Sequence, residues 1–121
     1  MIDEKKFDLR IYVMVTSLGT AIGGNDPLTA FIADEGLVRF CTENYSKPTV
    51  ENKEDLLSHL TNYSLNKLSE NYVHVEDMAK QEESSKRTLT SVFDGLKSEG
   101  VDTAALFDEI KQVCMKTIVA L

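Results

Sequence analysis

Three charged side chains, Lys6, Asp8 and Arg10, alternate with Phe7, Leu9 and Ile11. In an extended chain they emerge on one face at intervals of about 6.6 to 7 Å. Such a row is either a solvated charge ladder or a surface for phosphate and ribose, with Lys as a point charge and Asp accepting from hydroxyls. A second concentration is His59-Leu60-Thr61-Asn62-Tyr63-Ser64-Leu65-Asn66-Lys67, where side chains able to hydrogen-bond crowd a stretch without strand or helix period. Polar loops of this density line sites, or else form capped turns in which Thr, Asn and Ser bond their own backbone. Arg39 stands among Leu37, Val38, Phe40 and Cys41, so its guanidinium needs an acceptor, either a structural carboxylate or an anionic ligand. Lys86 and Arg87 form a basic pair between an acidic stretch and a helix, read on spacing alone as solvated. His59 has no second His or Cys at zinc-ligand spacing. Taken without further context, these residues define only an anion-binding surface.

The elements that must position them follow from periodicity. Alternation from Lys6 to Ser17 predicts one strand, and Leu28 to Ala33 and Leu37 to Thr42, around Asp34-Glu35-Gly36, predict a hairpin. Residues 43–58 read as a connecting loop with one helical turn around Glu54 to Leu57, and Leu68 to Ser85 as an exposed acidic loop carrying Glu76, Asp77, Glu82 and Glu83. Leu89, Val92, Phe93 and Leu96 recur at helical spacing before Gly100, a C-terminal cap. Asp102 then caps a second helix, whose stripe is Leu106, Ile110, Val113, Thr117 and Leu121, widened by Phe107, Cys114 and Ile118. The fold class is α+β: antiparallel strands in the first third, a polar site loop, and two C-terminal helices.

Composition narrows the function. The chain has 121 residues, 42% hydrophobic and 27% charged, enough for one ordinary domain. Its net charge of -7 divides into -3 for residues 1–67 and -4 for the rest, so neither half carries the basic surface of a nucleic-acid binder. Cys41 and Cys114 lie far apart without a CxxC context and read as free thiols in a reducing compartment. No apolar run is long enough for a membrane span, and the start lacks a signal-peptide core. The expected setting is the cytosol.

In order, Lys6-Phe7-Asp8-Leu9-Arg10-Ile11-Tyr12-Val13, Asp34-Glu35-Gly36-Leu37-Val38-Arg39-Phe40, His59 to Lys67, Ser85-Lys86-Arg87-Thr88-Leu89 and Lys116-Thr117-Ile118 resemble the tubulin tyrosine ligase-like family, across nearly the whole chain. The HLTNYSLNK and SKRTL blocks resemble its polyglutamylase branch. The resemblance implies a partial ATP-grasp domain over residues 1–121, part of an enzyme that joins glutamate to glutamate side chains of tubulin through an acyl-phosphate, using ATP and Mg2+. It implies ATP contacts from Lys6, Phe7, Asp8, Thr61 and Asn62, and glutamate contacts from Arg39, Tyr63, Ser64 and Lys86. Arg10 and His59 match family positions near the phosphates. The implied partners are tubulin or microtubules and free glutamate, with no nucleic acid or membrane, in the cytoplasm at the microtubule cytoskeleton, including the cilium or basal body. A glycylase, a ligase of the family acting on another protein, and a non-catalytic tubulin-associated fragment remain alternatives.

Two departures accompany the resemblance. Gly19-Thr20-Ala21-Ile22-Gly23-Gly24-Asn25 stands between Ser17-Leu18 and Asp26-Pro27-Leu28, where the family runs more directly, as either a tolerated loop or an error in the gene sequence. The N-terminal lobe and nucleotide hinge are expected before Met1, and the Asp and Glu-x-Asn magnesium ligands after Leu121. The isolated chain is therefore expected to be inactive.

Overall fold

The computed structural model describes residues 1–19, 27–75 and 84–120, so the Thr20–Asn25 part of the Gly-rich insert and Glu76, Asp77, Glu82 and Glu83 lie outside the described residues. The order is β1 (Phe7–Arg10), β2 (Val13–Leu18), β3 (Leu28–Ile32), β4 (Leu37–Phe40), α1 (Leu56–His59), α2 (Tyr63–Asn66), β5 (Lys86–Thr88), α3 (Leu89–Ser98) and α4 (Thr103–Val119). The class is α+β, with antiparallel strands and C-terminal helices as the sequence predicts. The chain divides into two compact units: Met1–Arg10 with Gly36–Val92, and Ile11–Glu35 with Phe93–Leu121.

The first unit is built on a sheet of order β1-β4-β5, antiparallel throughout. Its core is Val38, Phe40, Cys41, Leu89 and Val92, all buried. Strand alternation explains Val38 and Phe40: Phe7 pairs with Phe40 and Leu9 with Val38, placing apolar side chains on one face, while Asp8 pairs with Arg39 on the other. The Phe7 and Phe40 rings lie 5.5 Å apart, and the Arg87 guanidinium covers Phe40 at 4.2 Å from its centroid. Arg87 also donates to Asp3 at 2.8 Å, tying the N-terminal turn to β5.

In the second unit, β2 and β3 form a two-stranded antiparallel sheet whose register shifts between Val15 and Ser17. Helix α4 starts where expected: Asp102 accepts from the Ala105 N–H at 3.0 Å, satisfying one of the donors a helix N-terminus leaves unpaired. Gly100, at φ +88°, takes a left-handed conformation that glycine adopts without steric penalty, and it separates α3 from α4.

Several expectations require correction. The run from Lys6 to Ser17 is two strands rather than one, broken after Arg10, and β1 and β2 belong to different sheets. Alternation continues through Ile11 and Tyr12 and carries no mark of the break. The predicted hairpin does not form either: β3 pairs with β2, and β4 with β1 and β5. Asp34-Glu35-Gly36 is thus a passage between units. The helical turn lies at Leu56–His59 rather than Glu54 to Leu57, and Ser84 and Ser85, at the end of the predicted exposed loop, are buried. On α4 the half-buried row runs through Leu106, Phe107, Ile110, Cys114 and Ile118, whereas Val113 and Thr117 are exposed. Two neighbouring rows satisfy a 3.6-residue period there, and the sequence alone does not choose between them.

Candidate functional site

The polar face of the three-stranded sheet is the platform. Register sets Asp8 opposite Arg39 and Arg39 opposite Lys86, so three charges from three strands form one transverse row. The Arg39 guanidinium binds the Asp8 carboxylate through two bonds, Nε to Oδ1 at 3.0 Å and Nη2 to Oδ2. This fork-on-carboxylate geometry is the strong form of a charge-assisted hydrogen bond, and it fixes the plane of the guanidinium. The two side chains are 24% and 36% exposed, so the pair is only partly screened by water. Lys86 is exposed and makes no ion pair with a described carboxylate.

Above this row lies the His59–Lys67 stretch. It folds as the end of α1, an extended link at Leu60, and the short helix α2, whose first backbone bonds run from Leu65 and Asn66 N–H to the Asn62 carbonyl. Lys6 Nζ donates to the His59 carbonyl at 2.7 Å, linking the residue preceding β1 to this stretch. His59 packs edge-on against Tyr45 at 6.3 Å between centroids, and its Nε2 is buried without a hydrogen-bond partner among the described residues. An orphaned buried imidazole nitrogen is uncommon. Tyr63 meets Tyr72 edge-on at 5.8 Å, and Lys67 lies over the Tyr63 ring at 5.5 Å. Burial, reinforced by the negative charge Tyr63 can acquire, pushes the Tyr72 phenol above its ordinary value.

Arg39, Phe40, Thr61, Tyr63, Asn66, Tyr72, Ser85 and Lys86 line one cleft. Its enclosed space is about 10 Å³, room for at most a water, and Tyr63 and Lys86 stand exposed at its mouth. Four of the residues singled out in the sequence, Arg39, Thr61, Tyr63 and Lys86, meet here. Asp8 reaches it through Arg39. Asn62 and Ser64 flank it on exposed positions of α2 and its cap, and Arg10 lies exposed at the far end of β1 opposite Leu37. The Phe7 ring turns to the apolar face against Phe40. Among the described residues no group of three His, Cys, Asp or Glu side chains could hold a metal ion.

Sequence reasoning missed three contributors. Asn66, 1% exposed, had no role assigned although it lies inside the polar block. Tyr72 was hidden in a stretch read as loop, and β5 falls in the short interval between that loop and the helix, to which no element was assigned. Lys86 and Arg87 are not an equivalent solvated pair: alternation on β5 sends Lys86 to the cleft and Arg87 to the Phe40 ring. Cys41, at the end of β4, is fully buried, and desolvation raises its thiol above the ordinary value although nearby Lys6 opposes the shift.

A strand-borne carboxylate–guanidinium pair, a flanking ammonium and a hydroxyl- and amide-rich loop give this face the chemistry that suits a carboxylate or phosphate. The whole chain, residues 1–121, matches the tubulin-tyrosine ligase family, and the protein belongs to that family. It is 45% identical over its full length to the tubulin polyglutamylase ttll-11 of Caenorhabditis elegans, 47% over 99% of its length to the tubulin polyglutamylase ttll6 of Danio rerio, and 44% over its full length to the tubulin polyglutamylase TTLL11 of Homo sapiens. The chain spans only 16%, 14% and 16% of those proteins, about a sixth of their length.

Proposed function

We propose that this chain is the amino-acid- and nucleotide-facing part of a tubulin polyglutamylase, a ligase with an ATP-grasp catalytic region that adds glutamate to glutamate side chains of tubulin. The observation that carries this reading is the meeting of Arg39, Thr61, Tyr63 and Lys86 on one cleft, in a chain that matches its family from end to end. The polyglutamylase names of its relatives support the branch.

In this reading Arg39 and Lys86 hold the carboxylate of the incoming glutamate, with Tyr63 and Ser64 beside it. Arg39 is already oriented by Asp8, so little side-chain freedom is lost when a carboxylate docks. Lys6, the main chain of Phe7, Asp8, Thr61 and Asn62 face ATP, and Arg10 and His59 lie toward its phosphates. ATP supplies the phosphoryl group that activates the acceptor carboxylate. Magnesium would neutralise phosphate charge during that transfer, and among the described residues no group of three His, Cys, Asp or Glu side chains could hold it.

The test is incorporation of labelled glutamate into microtubules by the full-length protein carrying this chain, with ATP and Mg2+, followed by mass spectrometry of the tubulin tails. Glutamate chains on tubulin are the expected result. Incorporation of glycine instead, labelling of another protein only, or no ATP-dependent labelling would overturn the assignment.

A further inference from the structure

We infer that Asn66 is a positioning residue of this site, holding the nucleotide-facing loop in register with the strand that carries Arg39. The inference rests on the reading of Thr61 and Asn62 as ATP contacts. The Asn66 amide is 1% exposed and uses all of its hydrogen-bonding capacity. Its Oδ1 accepts from the Thr42 N–H and from the Thr42 hydroxyl, both at 2.9 Å. Its Nδ2 donates to the Leu60 carbonyl at 2.7 Å and to the Asn62 carbonyl at 3.0 Å. The backbone N–H of Thr42 can only donate and the two carbonyls can only accept, so these partners fix which amide atom is oxygen and which nitrogen.

The geometry matters because of what lies at each end. Thr42 is two residues beyond Phe40, the end of β4, three residues from Arg39. Leu60 and Asn62 bracket Thr61, whose side chain lines the cleft that Asn66 also lines. A single side chain therefore bolts the carbonyls on both sides of Thr61 to the exit of the Arg39 strand. Its own backbone is anchored on α2, where its N–H bonds the Asn62 carbonyl at 3.0 Å. A buried Leu or Ala would leave the Leu60 carbonyl and the Thr42 N–H without the side-chain partner they have here, while Asp would face the Leu60 and Asn62 carbonyl oxygens with a carboxylate.

The test uses the full-length protein carrying this chain, with Asn66→Asp, Thr42→Val, Thr42→Ser and Thr61→Ala, assayed by ATP titration with the active fraction counted and thermal unfolding followed in parallel. Positioning predicts that Asn66→Asp lowers kcat/KM for ATP about 10- to 100-fold per folded enzyme, as a misplacement near 1 Å does. Thr42→Val, which removes one of the four bonds, lowers it about 2- to 10-fold, and Thr42→Ser, which keeps the hydroxyl, restores it. If Asn66→Asp does not fold, Thr42→Val and Thr42→Ser decide alone. Loss of stability with unchanged KM and kcat in the surviving enzyme would mean that Asn66 is only structural, and the inference would fall while the site reading stands. If Thr61→Ala leaves the ATP dependence untouched, the loop does not face the nucleotide, and both fall together.

Discussion

Replacing Arg39 by Ala removes a guanidinium that the structure shows already engaged, so its effect on glutamate has two parts. The first is the loss of a charge-assisted hydrogen bond to the substrate carboxylate, worth about 1.5 to 3 kcal/mol, or about 10- to 150-fold in the KM for glutamate. The second comes from Asp8. Its carboxylate, two-thirds shielded and deprived of its fork of donors, is left facing the same mouth and repels the incoming anion. Asp8→Asn in the Arg39→Ala background removes that repulsion and should recover part of the lost affinity. Lys86→Ala is the internal comparison: the ammonium is exposed and unpaired by any described carboxylate, so its removal is worth about 0.2 to 1 kcal/mol, or about 1.5- to 5-fold. Paired titrations of glutamate and ATP in the full-length protein would read both KM values for each variant. An ATP KM that rises while that for glutamate stays put would show that Arg39 serves the nucleotide. A double variant no better than Arg39→Ala alone would refute the argument that the released Asp8 charge contributes.

Two further outcomes test the structure on the chain itself. Burial raises the Cys41 thiol above its ordinary value of 9.0, so the folded state keeps that proton in a range where the unfolded chain gives it up. The corresponding stability is fully present below the unfolded value and lost as pH rises through the folded one; Cys41→Ala should flatten the decline in urea midpoint above about pH 9, and an unchanged decline would remove Cys41 as its source. Asp102→Ala deletes the N-cap bond to Ala105 and should destabilise by about 0.5 to 2 kcal/mol, seen in denaturant unfolding followed by circular dichroism. No loss would mean that water replaces the cap fully.

The helices were legible because their signals are local. Asp102 and Gly100 mark ends by what one side chain, or its absence, does to the adjacent backbone. Strand pairing was not, because register and partner are decided across the chain: nothing in Leu28 to Thr42 tells that β3 turns to β2 and β4 to β1. The site residues Arg39, Thr61, Tyr63 and Lys86 were named from motif resemblance, and periodicity alone left each of them ambiguous. Asn66 shows the limit most clearly. A buried Asn with four bonds and an exposed Asn capping a turn are the same letter, and only the partners, Thr42 and Leu60, distinguish them.

The adjacency of Lys86 and Arg87 has a consequence for the register of β5. The two cations differ in task only because they stand at odd and even places along one extended strand, one over the cleft and one over the Phe40 ring. Were β5 to slip by one residue against β4, their sides would exchange, sending the ammonium to the ring and the forked cation to the cleft mouth. A slip of two would restore the sides but draw Arg87 away from Asp3. The division of labour between the two cations is thus held by the parity of the register along β5, and not by the two letters alone.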